Sequence, residues 1–194
     1  MSDRSDEAFV VAISGMSGAG KSSVVRGTVE RLGNATALYF DDYVARSTYP
    51  PDLLDWLARG ADVDEWKTPH LAADLRALRS AGTYEFVIVE EPFGRRRAEM
   101  QDLIDAAAHL DVPTDVLLAR RLLRRLTEER EQFGDRLLDQ LHRDLTEHLT
   151  TDRSLEIAGA ASARAAADIV LDGRKTLDEL AETLANEILT RARR

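Results

Sequence analysis

Short, almost continuous apolar runs alternate along the chain with segments whose apolar residues recur three and four positions apart. The runs are Phe9–Ser14 (FVVAIS), Thr36–Phe40 (TALYF), Tyr84–Glu90 (YEFVIVE), Ala108–Val112 (AHLDV) and Asp168–Asp172 (DIVLD). They are too short for helices and read as strands buried on both faces. The intervening spacing predicts helices, most clearly after Thr176. There Thr176 and Glu179 form a capping-box pair, and Leu177, Leu180, Ala181, Leu184 and Ile188 line one helix face. Strands alternating with helices predict a parallel sheet covered on both faces. The alternation lapses from Arg121 to Ala167, where helices follow one another without a strand. Such an excursion over one end of a sheet is a natural lid, expected at about residues 114–150. No repeat, low-complexity tract or linker divides the chain, so one domain over residues 1–194 is expected, with residues 1–7 as a flexible tail.

Composition narrows the partners. The 194 residues are 44% hydrophobic and 31% charged, ordinary for a globular protein. A net charge of -9 argues against a dedicated nucleic-acid binder, though it leaves room for a local cationic pocket. The absence of cysteine removes disulfides, zinc–thiolate sites and thiol nucleophiles. No apolar run approaches the ~20 residues of a membrane-spanning helix, and the opening MSDRSDEA has no signal-peptide character. The expected compartment is the cytoplasm.

The first strand runs into ISGMSGAGKSS, with Gly15, Gly20, Lys21 and Ser22 at the spacing of a phosphate-binding P-loop. The context the motif needs, a strand before and a helical pattern after, is present. Glycines let main-chain N–H groups approach phosphate oxygens, and the helix behind them points its positive end at the same place. Gly15, Ser17, Gly18, Ala19, Gly20, Lys21, Ser22 and Ser23 are therefore the expected nucleotide-binding residues. Lys21 would reach the β/γ-phosphates and the Ser22 hydroxyl would ligate Mg²⁺.

Ligands of open α/β sheets bind beyond the carboxyl ends of the strands. The second strand run ends in Asp41 and Asp42, the third in Glu90 and Glu91. A carboxylate there can take a proton from an attacking hydroxyl or hold Mg²⁺, although acidic residues also commonly open loops. In TDVLLARRLLRRLTEER, Val116, Ala119, Leu122, Leu123 and Leu126 cluster on one helix side, with Arg120, Arg121, Arg124 and Arg125 on the opposite arc. Those arginines read as a clamp on transferred phosphate. The alternative is a solvated face paired with Glu128 and Glu129. Trp56 and Trp66, with Tyr43, Tyr49, Arg46 and His70, lie in the segment between the second and third strands. That segment either walls an acceptor pocket or pins helices to the sheet. No two of the four histidines have metal-ligand spacing; His109 falls in or beside a strand, and His142 and His148 read as helix-surface residues.

In order, GMSGAGKSS, FDDY, IVEE and ARRLLRR resemble the motifs of P-loop small-molecule kinases, nearest the uridine kinase and nicotinamide riboside kinase group. The closing ADIVLDGRKTLDELAETL also resembles that group's last strand and helix. The resemblance implies a three-layer α/β/α fold with a five-stranded parallel sheet in the order 2-3-1-4-5 and a helical lid. The expected cofactors are ATP and Mg²⁺ and the expected partner is a small-molecule acceptor, with a monomer or homodimer and neither nucleic acid nor membrane as partner. Asp41 matches the family's catalytic base, and Glu90 the acidic residue near metal and acceptor. Arg120, Arg121 and Arg124 match its lid arginines. Tyr43 and Trp66 join Asp41 and Glu90 as candidate acceptor contacts. Three departures fall where the acceptor would sit: Glu91–Pro92 after Glu90, Arg125–Leu126 after Arg124, and Val44 after Tyr43. Phosphate transfer to a nucleoside-like hydroxyl is thus one expectation. A sugar acid, vitamin precursor or antibiotic as acceptor, or a regulatory ATPase with none, are the others. A GTPase switch is disfavoured, since no Asn-Lys-x-Asp motif occurs.

Overall fold

A computed structural model describes residues 7–128 and 136–193, leaving out the side chains at 128, 151, 152 and 155. Most of the expected tail, and Glu129, lie outside the described residues. Five strands, β1 (Phe9–Ser14), β2 (Ala35–Leu38), β3 (Phe86–Glu90), β4 (Ala106–Asp111) and β5 (Ile169–Asp172), form one sheet. The order is β2-β3-β1-β4-β5 and every pairing is parallel. The expected fold class and strand order are therefore observed.

Alternate residues of the central strands enter two different cores, which is why these strands are apolar throughout. Val11 and Ile13 of β1 and Ile88 of β3 pack against helices α1 (Lys21–Leu32) and α8 (Leu177–Ala192). Val10, Ala12, Val87 and Val89 pack on the other face, beneath α3 (Pro69–Ser80) and α4 (Ala98–Gln101). Helix α8 begins with the predicted capping box and buries Leu180, Ala181, Leu184 and Ile188. Leu177, expected on the same face, remains half exposed at the helix start.

Strand boundaries differ from the sequence pattern in instructive ways. β2 stops at Leu38, because Phe40 turns inward beneath α3 and the chain coils into a 3₁₀ segment, Phe40–Arg46. β4 begins earlier than expected, at Ala106. Alanine carries little strand propensity, yet Ala106, Ala107 and Ala108 are buried and pair with β1. Between β4 and β5 come α5 (Thr114–Glu128), α6 (Leu137–Glu147) and α7 (Arg153–Ala165), the last two joined by a π-helical turn, His148–Asp152. No strand interrupts them among the described residues, and the helical excursion extends past residue 150 to Ala165.

Candidate active site

The glycine loop links β1 to α1 across the carboxyl edge of the sheet. Gly18 (φ 82°) and Gly20 (φ 97°) adopt left-handed backbone that other residues resist. Gly18 has a second constraint, since a Cβ there would lie 2.9 Å from Cγ of Arg121. The loop and α5 are thus stacked directly on one another. Helix α1 starts at Lys21 with no side-chain cap, so N–H groups of its first turn stand available to an anion.

β1 and β3 are in register with Ile13 opposite Glu90, which sets the Glu90 carboxylate beside the start of α1. Ser22 Oγ donates to Glu90 Oε2 at 2.8 Å, and Lys21 Nζ lies 3.3 Å from Glu90 Oε1. The lysine also donates to the Met16 carbonyl at 3.4 Å. Glu90 is only 6% exposed, so this carboxylate is held by its two partners in a site of restricted water access. A hydroxyl and a carboxylate this close form the small set of hard oxygen donors that Mg²⁺ takes from protein when phosphates and water supply the rest. No cluster of three or more His, Cys, Asp or Glu residues suited to a metal exists among the described residues.

β2 runs beside β3 with Leu38 opposite Val89, so the turn after β2 emerges at the same edge as Glu90. Asp41 lies in that turn, exposed, as does Asp42. Tyr43 does not join the site. It is buried and donates its hydroxyl to Asp74 of α3 at 2.8 Å, which pins the turn to the core. Burial and the neighbouring Asp74 carboxylate push its hydroxyl up to about 12. A tyrosine after two aspartates gave no sign of which way it would face, and the apolar pull of the α3 layer decided it.

Helix α5 buries neither arc as a whole. Leu123 and Leu126 are exposed, and the helix buries Leu117, which lies within the arginine arc. Three of the arginines, Arg120, Arg121 and Arg125, accordingly reach the loop or the following helices. Arg120 donates to the carbonyls of Ala19 and Gly173 at 3.3 and 3.2 Å, tying the glycine loop to the turn after β5. Arg121 forms an ion pair with Glu156 of α7 and donates to His148 Nδ1 at 3.1 Å. His148 is therefore turned toward α5 rather than solvent. Arg125 pairs with Asp144 at 3.4 Å, while Arg124 is exposed. The arginine side encloses a cavity of about 320 Å³ with Ser17, Arg121, Arg124, Arg125, His148 and Glu156 in its lining.

A second cavity, of about 260 Å³, opens on the other side of Ser17 and Glu156, which line both. Its walls are Met16, Leu53, Trp56, Trp66, Pro92 and Phe93, and Gly159 and Ala160 of α7 also line it. Trp66 is thus the one acceptor candidate from the sequence that lines this space; Asp41, Tyr43 and Glu90 do not. Trp66 packs edge-on against both Tyr49 and Trp56, the latter in α2 (Leu53–Ala58).

Behind this wall is a charge network that sequence reasoning missed. The side chains of Glu91 and Arg97 are completely buried. Arg97 holds both oxygens of Glu91 through Nε and Nη2, and also donates to the Trp66 carbonyl, Glu99 and Thr68 Oγ1, each at 2.8 Å. Burial pushes the Glu91 carboxyl up, and the Arg97 guanidinium opposes that shift. In GRRR nothing marks the third arginine as the buried one. Arg95 pairs with Asp168 instead.

Beneath the loop, Ser14 Oγ lies 3.1 Å from the Ala108 carbonyl and 3.0 Å from His109 Nδ1, joining β1 to β4. His109 is buried, which lowers its pKa and keeps the ring neutral. An imidazole with a depressed folded-state pKa binds its proton more readily when unfolded, so its effect on stability is a loss as pH falls below about 6.5. Thermal midpoints measured from pH 8 to 5 should fall toward acid, and His109→Asn should flatten that slope.

No protein-family model matches the chain, and no curated protein sequence matches it. Solved structures do. A gluconokinase from Sinorhizobium meliloti is similar over 97% of this chain and 95% of its own, with a TM-score of 0.56 and 20% identity. A sugar kinase from Janibacter sp. is similar over 95% and 98% of the two chains, with a TM-score of 0.52 and 18% identity. Shikimate kinase from Acinetobacter baumannii, in complex with shikimate, covers 95% of both, with a TM-score of 0.50 and 17% identity. At such identities the likeness is one of fold.

Proposed function

We propose that this chain is an ATP- and Mg²⁺-dependent kinase that phosphorylates a hydroxyl of a small molecule. One observation carries the reading: Glu90 is held at once by Lys21 and Ser22 at the mouth of a complete glycine loop. The similarity in fold to a gluconokinase, a sugar kinase and shikimate kinase supports the same chemistry. Their names favour an acceptor other than a nucleoside.

In this reading the loop amides and the start of α1 bind the phosphates, and Lys21 Nζ balances charge on the β/γ-oxygens. Mg²⁺, when bound near Ser22 and Glu90, would neutralise charge on the transferred group. The acceptor oxygen forms a bond to the γ-phosphorus, the bond to the β–γ bridging oxygen breaks, and ADP leaves. Asp41 takes the hydroxyl proton. Arg120, Arg121 and Arg124 supply positive charge from the lid side, and the apolar cavity keeps water from competing with the acceptor.

ATP turnover measured with and without an acceptor panel (gluconate, shikimate, uridine and amino alcohols) tests this. Asp41→Asn should lower acceptor-stimulated turnover at least ~100-fold while ATP still binds. Acceptor-independent hydrolysis, unchanged by that substitution, is the opposing result.

A further inference from the structure

The cavity beside Ser17 has a composition unlike a sugar or sugar-acid site. Six of its lining residues are Met16, Leu53, Trp56, Trp66, Pro92 and Phe93, and no lysine or arginine lines it. The cations near its walls are already committed. Arg97 is sealed behind Trp66 and Phe93 with Glu91 and Glu99, and Arg121 is paired with Glu156. An entering carboxylate would meet apolar rings and a carboxylate of like sign, a costly combination.

Two of the residues that line this cavity each carry a buried polar atom without a hydrogen-bond partner among the described residues: Trp66 Nε1 and Glu156 Oε2. An indole N–H can only donate and a carboxylate oxygen can only accept. Left unmade, such bonds cost free energy that a ligand offering the complementary groups recovers. Glu156 spends only one oxygen on Arg121, leaving the second for a guest. The aromatic rings provide flat apolar walls, also favourable to a nearby cation. On α7, Gly159 keeps space open, since a Cβ there would meet nothing within 4 Å.

We propose that this cavity selects a cationic amino alcohol with a flat apolar body, its ammonium on Glu156, an oxygen on the Trp66 indole N–H and its ring among the tryptophans. The proposal rests on the kinase reading for the identity of this guest as the phosphoryl acceptor. The space and its chemistry stand without it.

A matched pair of probes tests the charge preference on the full chain by titration calorimetry. Tyrosinol and 3-(4-hydroxyphenyl)lactate share the phenol ring and an aliphatic hydroxyl; one carries ammonium, the other carboxylate. Tyrosinol should bind at least about tenfold more tightly, and Glu156→Gln should erase most of that difference. Because Glu156 also holds Arg121, Gly159→Leu gives a second arm that leaves the ion pair intact. It should fill the cavity and abolish tyrosinol binding while ATP still binds and the thermal midpoint is kept. Equal or tighter binding of the lactate overturns the proposal, as does undiminished tyrosinol binding by folded Gly159→Leu. Turnover stimulated by gluconate or uridine with no tyrosinol binding leaves the kinase standing and removes this acceptor class. Tyrosinol binding with the expected charge preference, but no acceptor-stimulated turnover in any arm, supports the cavity's chemistry and removes the kinase reading.

Discussion

Arg97→Met is expected to lower the unfolding free energy by roughly 3–5 kcal/mol, a large share of the total stability of an ordinary domain. The cause is what the substitution leaves behind. Glu91 is completely buried, and Arg97 satisfies both of its carboxylate oxygens. Removing the guanidinium strands a charged carboxylate, or forces it to take up a proton, and also unties the Trp66 carbonyl and Thr68 Oγ1. Denaturant melts would show this as a lower midpoint. The double substitution Glu91→Leu with Arg97→Met should recover part of the loss, because a pair removed whole leaves no unmatched charge. A single substitution costing under about 1 kcal/mol would show that the pair is not sealed from water.

Lys21→Met carries the second large effect. Acceptor-stimulated turnover should fall about 10³-fold, the scale of losing one preorganised charged group aimed at developing phosphate charge. The lysine is positioned by Glu90 at 3.3 Å and by the Met16 carbonyl at 3.4 Å, so methionine keeps the stem but leaves the carboxylate with Ser22 alone. Steady-state rates, with ATP affinity measured separately, check it. A variant retaining a tenth or more of its turnover would remove Lys21 from the transfer chemistry.

The glycine loop, its strand and its helix were legible in the sequence because each is local. Left-handed glycines, a buried strand and an amphipathic helix follow from near neighbours in the chain. The aspartates and glutamates at strand ends could likewise be read as lying on one edge, since a parallel sheet sends all its carboxyl ends the same way. The orientation of α5 was not legible. An apolar arc and an arginine arc shared the helix, and packing decided between them: Gly18 stacks on the stem of Arg121 and Leu117 enters the core. Tyr43 was equally ambiguous until Asp74 of α3 took its hydroxyl.

Periodicity and motif spacing alone carried the alternation of strands and helices, the strand order implied by the motif resemblance, and the expectation of a phosphate-binding loop. These depend on periodicity and on backbone freedom, which short stretches of chain carry alone. That Glu90 meets Lys21 and Ser22, and that Glu91 and Arg97 share a sealed pair, came instead from the packing of separate elements. It alone brought Trp66 and Glu156 to the same cavity. Each of those pairings joins side chains from different elements, and desolvation makes a buried charge depend on where the other elements come to rest.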